Sequence, residues 1–406
     1  MIKMLVVNTK LVIFTDNYPQ CVLNMTEKES ALHSQYIIDG VKCDTTPAEL
    51  LDECLSDRNI IHPDADGCAD IIDESIDPPV STFTYDRERN MEYVTACRDA
   101  LAEERTFRML YPDSFTRQRI AIALIDRLWN DGHFRSGDLT VWGQWVWNTR
   151  PLGNMAAFYM SAEAVNSYLF DLGIKLNDYA FEESDEESYA RFYAWLPEKD
   201  NEEEEEDVSF KSSPYESRHP WISEDMKCSS RLQDDPDSWL IYIPFDTCSF
   251  RIGGSLLAQT QGRNGGIPPH LNDPDYFIDC YEVVRELVED GIAIAGATVC
   301  DGGIAAAAEG MCEEIGIRIN MDGILASYQE NDMTKMLFAE VPGVLLQIRE
   351  MDYDYLDSQL LLQDVAYYPL GHPDKGIRGL HLDSSGKIGV AGILASLLNQ
   401  ASEGED

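Results

Sequence analysis

At 406 residues with 44% hydrophobic content, the chain is long enough for two or three globular domains with real cores. Asp and Glu number 73 against 31 Lys and Arg, a net charge of −42. A surface that acidic repels phosphate backbones and anionic lipid, which argues against nucleic acid and membranes as partners.

The ten cysteines form no C-x-x-C pair and no Cys/His cluster with zinc spacing. Scattered in this way, with no secretory signal at Met1 to Val7, they fit free thiols in a reducing compartment, so the expected location is cytoplasmic. No apolar run approaches the ~20 residues of a membrane span. Leu5 to Phe14 reads as one or two strands, and Pro47 to Leu55 as a short helix opened by Thr45 or Thr46. Asp57 to Asp77 is acidic and turn-rich. Its Asp64, Asp66 and Asp70 lack the twelfth-position Glu of an EF-hand and read as a solvated loop. A helix is expected over Glu92 to Arg105.

From Asp113 the pattern sharpens. Asp113 or Ser114 is the expected cap of a helix with Ile120, Ala121, Leu124, Ile125 and Leu128 on one face, ended by Asp131 and Gly132. Leu139 to Trp147 alternates as a strand, with Leu139, Val141, Trp145 and Trp147 on one side. Its three tryptophans suit a half-buried strand or a subunit interface better than a stacking platform on so acidic a protein. Pro151 to Gly173 is a helix with a broad apolar face through Met155, Phe158, Ala162, Val165 and Leu169. Glu182 to Glu187 and Asp200 to Asp207 are acidic runs, and densely packed like charges stay solvated.

Leu240 to Ile243 reads as a buried strand leading to a Gly253-Gly254-Ser255 loop. Asp273 caps a helix with Pro274 at its first position, running to Gly291. A strand over Ile292 to Val299 follows, then a Cys300-Asp301-Gly302-Gly303 turn, a small-residue helix to Glu314 and a strand over Ile317 to Met321. Val344 to Ile348 and Val365 to Gly371 read as further strands. The turn has two readings. Asp301 and the glycines make a tight strand-to-helix turn, or the glycines open a helix whose free N–H groups face a phosphate, with Asp301 holding Mg²⁺ beside it.

Three segments bear on that choice by resemblance. They are Ile252-Gly253-Gly254-Ser255; Ala297 to Ile304 followed by Glu309-Gly310-Met311; and Leu337-Phe338-Ala339-Glu340. In order and spacing they resemble the C-terminal domain of formylglycinamidine ribonucleotide (FGAM) synthase, of the aminoimidazole ribonucleotide (AIR) synthetase superfamily. That pattern has a Leu-Gly-Gly-Ser loop, a His-Asp-x-Ser-Asp-Gly-Gly-Leu turn, a Glu-Met helix and a Leu-Phe-Ser-Glu segment. Residues 139–176 loosely resemble the superfamily's N-terminal-type domain. The resemblance implies an α+β fold of two domains, an N-terminal-type sheet domain and a C-terminal α/β sandwich. The expected division is an unassigned region at 1–105, the N-terminal-like domain at 106–181, an acidic loop and linker at 182–237, the C-terminal-like domain at 238–381 and a tail at 382–406.

It further implies a nucleotide or phosphate site at Gly253, Gly254, Ser255, Gly302 and Gly303, metal ligation by Asp301 and Glu340, and Mg and ATP as cofactors. A small-molecule nucleotide is the implied partner, in a homodimer for which Trp142, Trp145 and Trp147 would supply apolar area. An active protein of this kind is an ATP-dependent, C–N bond-forming ligase of the FGAM synthase type, in purine biosynthesis. Departures limit that reading and leave the catalytic residues unassigned. Ala297, Thr298 and Cys300 stand where the family turn has His, Asp and Ser. The sequence has no His-Asn-His-Pro stretch, no amidotransferase triad and no Gly-Val-Asp-Gly-Val-Gly-Thr-Lys segment, which excludes a complete FGAM synthase. The alternative is a non-catalytic dimeric scaffold or interaction module with a degenerate site.

Overall fold

A computed structural model describes residues 4–7, 10–13, 30–55, 106–129, 135–196, 227–260 and 266–383. The aspartates at 64, 66 and 70, the helix expected at 92–105 and the acidic run at 200–207 lie outside the described residues. At the start of the chain, β1 (Met4–Val7) and β2 (Lys10–Ile13) pair antiparallel, so the apolar stretch there is two strands. A second small hairpin, β3 (Ile37–Ile38) and β4 (Val41–Lys42), precedes α1 (Pro47–Leu55). A reciprocal pair of bonds opens that helix. The Thr46 hydroxyl accepts from the Glu49 N–H at 3.2 Å, and the Glu49 carboxylate accepts from the Thr46 N–H at 2.7 Å.

Helix α2 (Pro112–Arg127) buries the stripe Ile120, Ala121, Leu124 and Ile125. Neither Asp113 nor Ser114 caps it. Pro112, with φ preset for a helix, is already its first residue, and Asp113 instead pairs with Arg117 one turn on at 3.1 Å. Strand β5 (Thr140–Trp147) follows, and α3 (Asn154–Asp171) crosses over to β6 (Lys175–Glu183), which runs parallel to β5. Gly173, at φ +65°, closes α3: its N–H reaches the Phe170 carbonyl while Ile174 N–H reaches Leu169, both at 3.0 Å. On the other side of β5, β7 (Tyr189–Trp195) pairs antiparallel, giving the order β6-β5-β7. β7 falls inside the stretch expected to be linker, so the sheet continues past residue 181.

The period of two in β5 corrects the expectation for its tryptophans. Trp145 and Trp147 are fully buried in the core of their own chain. Their indole N–H groups donate to the Ser161 hydroxyl and the Asn154 carbonyl, each at 2.9 Å. Only Trp142 lies on the outer face, half-buried and 5.2 Å from the Tyr193 ring. Trp145 and Trp147 therefore have no area to offer a second subunit.

The larger unit holds β8 (Trp239–Pro244), α4 (Leu256–Thr260), α5 (Pro274–Glu289), β9 (Ala293–Val299), α6 (Gly303–Met311), β10 (Gly316–Ile319), α7 (Asp322–Ser327), α8 (Met333–Phe338), β11 (Gly343–Ile348), α9 (Tyr353–Leu362), β12 (Tyr368–Asp374) and β13 (Leu380–Leu382). Its sheet has the order β13-β10-β12-β8-β11-β9, and only β10 with β13 is parallel. The fold is α+β, and a doubly wound parallel sheet is ruled out. The central strands β8 and β11 read as apolar runs, broken only by the buried Gln347 of β11, because both sheet faces are covered. Ile241, Ile243, Val344 and Leu346 join the core with Phe277, Tyr281 and Val284 of α5; Leu240, Tyr242 and Leu345 join Ile304, Ala308 and Met311 of α6.

Val365 was expected to begin a strand but finishes a helix. Its N–H reaches back to the Leu360 carbonyl at 2.9 Å past Asp364 at φ +56°, and β12 starts three residues later. No helix among the described residues is long and apolar enough to cross a membrane. The seven cysteines among those residues are free thiols, and burial pushes Cys228 and Cys312 up to about 12.

Candidate functional site

β9 is an edge strand of the six-stranded sheet, and the Cys300–Gly303 turn leads from it into α6. Gly303 N–H closes the turn on the Cys300 carbonyl at 2.8 Å. Gly302 and Gly303 lie at φ +73° and +67°, where L residues are strained. At Gly303 a Cβ would also come within 2.4 Å of the Leu337 carbonyl, so the glycine lets α8 pack against the turn. The Gly253-Gly254-Ser255 loop is equally tight: a Cβ at Gly253 would meet the Gly266 carbonyl at 2.2 Å, and Gly254 sits at φ +67° under the Tyr111 ring. The buried Ser255 hydroxyl accepts from the Ala258 N–H at 3.2 Å, capping α4.

Both loops converge on Glu340, which leaves the end of α8 and is 2% exposed. One oxygen, Oε1, accepts from Leu256 N–H at 2.8 Å and from Gly302 N–H at 3.0 Å. The three segments singled out in the sequence thus meet at a single carboxylate. That carboxylate occupies the mouth of α6, the place where a phosphate was expected, and there it meets the same amides and dipole that favour any anion.

Helix α2 brings a further set of residues that the sequence did not mark. The Arg119 guanidinium forks onto both oxygens of Asp301, with Nη1 2.7 Å from Oδ2. It also lies 5.0 Å from the centre of the Phe115 ring. Burial works against the Arg119 cation, but the charge and hydrogen bonds of Asp301, with smaller contributions from Cys300 and Glu340, together outweigh it and hold the group above its ordinary value. Gln118 Nε2 donates to the Glu340 carbonyl at 3.1 Å. At Thr298, where the family turn has Asp, the hydroxyl donates to Asp126 Oδ1 at 2.6 Å and accepts from the Trp129 indole at 2.9 Å. The Trp129 ring covers Gly296.

Asp301 and Glu340 alone do not amount to a resident metal centre. Asp301 is spanned by Arg119, one Glu340 oxygen is shared by two amides, and no group of three His, Cys, Asp or Glu among the described residues could hold an ion. A Mg²⁺ ion there would have to arrive with phosphates and water completing its shell.

Fold and site together define an α+β protein whose two glycine loops are clamped by one glutamate and closed over by a helix. No protein-family model matches the chain. The probable phosphoribosylformylglycinamidine synthase, chloroplastic/mitochondrial, of Arabidopsis thaliana is 26% identical over 273 residues, 67% of this chain and 18% of that protein. The Homo sapiens phosphoribosylformylglycinamidine synthase is 26% identical over 162 residues, covering 40% and 11%. The Drosophila melanogaster protein is 29% identical over 156 residues, covering 36% and 11%. The chain thus spans less than a fifth of the length of each. Similar solved structures include PurLQS from Thermotoga maritima (TM-score 0.45, 11% identity, 68% of this chain and 40% of that one) and T. maritima PurL complexed with ATP (0.41, 11%, 66% and 38%). With the motif order, the sequence matches support the resemblance of the chain to the AIR synthetase/FGAM synthase superfamily.

Proposed function

We propose that the chain binds a nucleotide, Mg·ATP or a related purine precursor, at the seam between α2 and the β9–α6 turn. The observation that carries this reading is the Arg119–Asp301 pair beside the Gly302-Gly303 backbone. Its side chains are 15% and 13% exposed, within reach of a ligand entering from solvent. A Mg-phosphate carries both charges needed to separate the pair, with Arg119 turning to phosphate and Asp301 to the ion. The Gly253-Gly254-Ser255 loop, held to the turn through Glu340, forms the other side of the site. The corresponding reaction is ATP-dependent C–N bond formation of the FGAM synthase type, in a cytoplasmic setting. With Ala297 and Thr298 in the family's His and Asp positions, no catalytic residue is assigned.

A second reading, a binding-incompetent scaffold, is favoured by one feature: Asp301 and Glu340 already have partners from the protein itself. Calorimetric titration of Mg·ATP into the full chain separates the two. The first reading expects binding by the wild type, loss of the Mg²⁺-dependent part in Asp301→Asn, and at least tenfold weakening in Arg119→Lys, which keeps the cation but loses the fork. Wild type that gives no heat, or Asp301→Asn that folds and binds Mg·ATP unchanged, overturns it. Because Asp301 neutralises a buried arginine, Asp301→Asn is expected to cost about 1–3 kcal/mol of stability, so circular dichroism accompanies the titration.

A further inference from the structure

One helix face of the larger unit has no cover from the described residues. Of the nine large apolar side chains exposed among those residues, four, Met351, Tyr355, Leu361 and Leu362, lie on α9 and the turn that leads into it. Tyr355 and Leu362 are two helical turns apart and Met351 stands one turn before Tyr355. They line up opposite Leu356 and Leu360, which are fully buried. Single exposed apolar residues are ordinary on a surface, whereas a contiguous apolar stripe marks a contact.

The chain leaves the large sheet close to this stripe. Leu382, Ile319, Gly371 and Leu240 pair in one row across β13, β10, β12 and β8, three strand spacings or about 14 Å from end to end. Asp383 therefore stands at the same end of the sheet as Trp239, and the two border one cleft. There the Trp239 indole donates to the Glu350 carboxylate, and its ring centre lies 5.7 Å from that of Tyr353, the first residue of α9. The seven residues from Ser384 to Val390 reach about 23 Å when extended, enough to bring the chain from Asp383 to the start of α9.

Residues 384–402, outside the described residues, are set apart by their sequence. In a chain with 73 Asp and Glu they contain none, and Lys387 is their one charge. Val390, Ile393, Leu394, Leu397, Leu398 and Ala401 recur at the i, i+3, i+4, i+7 spacing of one apolar helix face, with Ser396 and Asn399 on the other. We propose that this segment, Val390 to Ala401, packs its apolar face on the stripe formed by Met351, Tyr355, Leu361 and Leu362. Charge favours it over a second copy of the chain. Another copy brings a net −42 to a stripe flanked by exposed Asp354 and Asp357, whereas the segment brings one positive charge. As part of the same chain it also meets the stripe at about millimolar effective concentration.

The test uses the full chain, with photoreactive benzoylphenylalanine in place of the exposed Leu362. Irradiation should join that position to a peptide from residues 388–401 of the same chain, in a yield that does not change on dilution. In the wild type, amide exchange over residues 390–401 should be slower by roughly tenfold or more than in a free peptide of the same sequence. Leu361→Glu, at an exposed site that leaves the core intact, and Leu394→Glu, in the segment itself, should each remove that protection. A cross-link to a second copy, seen as a doubled mass, or no cross-link to the segment overturns the proposal. So does wild-type exchange at the free-peptide rate, or protection that survives both substitutions.

Discussion

Glu340 holds two buried amides with one oxygen, and its loss should be felt on both sides of the site. Glu340→Ala removes two charge-assisted bonds and leaves the Leu256 and Gly302 N–H groups enclosed without an acceptor. The expected cost is about 3–5 kcal/mol, against about 1–2 kcal/mol for Glu340→Gln, which keeps a neutral acceptor in place. Urea denaturation checks this; equal stability of Glu340→Ala and wild type would mean the loops are held by their own turns. In the sequence Glu340 could be marked as important but not as internal, since a carboxylate that ligates an ion and one that caps a helix look the same. Arg119 was not marked at all. It sits on a helix with an apolar stripe, 182 residues from its partner, and its one local signal was a Gln-Arg pair directly before buried Ile120.

Among elements, the contact of α2 with β9 places the candidate site. A Cβ on Gly296 would come within 2.4 Å of Trp129 Cζ3, an atom of a fully packed ring. Gly296→Ala should therefore destabilise by about 1–3 kcal/mol and move α2 outward, loosening the grip of Arg119 on Asp301. Thermal melting tests the first effect; an unchanged melting temperature would show that the indole can turn aside. The elements themselves were legible where periodicity and caps agree. β5 alternates as its sequence does, and α5 has Asp273 capping the Tyr276 N–H at 3.2 Å with Pro274 at its first position. β12 was misplaced because it contains Pro369 and Pro373, residues that argue locally against a strand, and it shifts register between Pro369 and Gly371.

For the whole molecule, the outer face of the β6-β5-β7 sheet is the proposed homodimer surface. Trp142, Val146 and Tyr193 lie half-buried on it, while a net charge of −42 opposes the approach of a second copy. Association should therefore strengthen with salt, which screens the repulsion over about 10 Å at 0.1 M. Light scattering is expected to return twice the chain mass at micromolar concentration, and Trp142→Glu should shift it to the monomer. A wild-type monomer at every ionic strength would rule out the homodimer that the resemblance implies. Strand order was the least legible property at this scale, because local patterns mark a strand and say nothing of its neighbours. That β8 lies between β11 and β12 is decided only by packing.

The clamp around Glu340 also has an order of assembly. Gly302 and Glu340 are 38 residues apart in the chain, while Gln118 and Glu340 are separated by 222. Closing the longer loop costs about 1.6 kcal/mol more chain entropy than closing the shorter one. The turn, α8 and Glu340 can therefore meet early as a local unit, and the docking of α2, with the Arg119–Asp301 pair, comes as a later and costlier step. A nascent chain has synthesised α2 long before these partners emerge, so Arg119 and Gln118 must wait until Asp301 and Glu340 have been made.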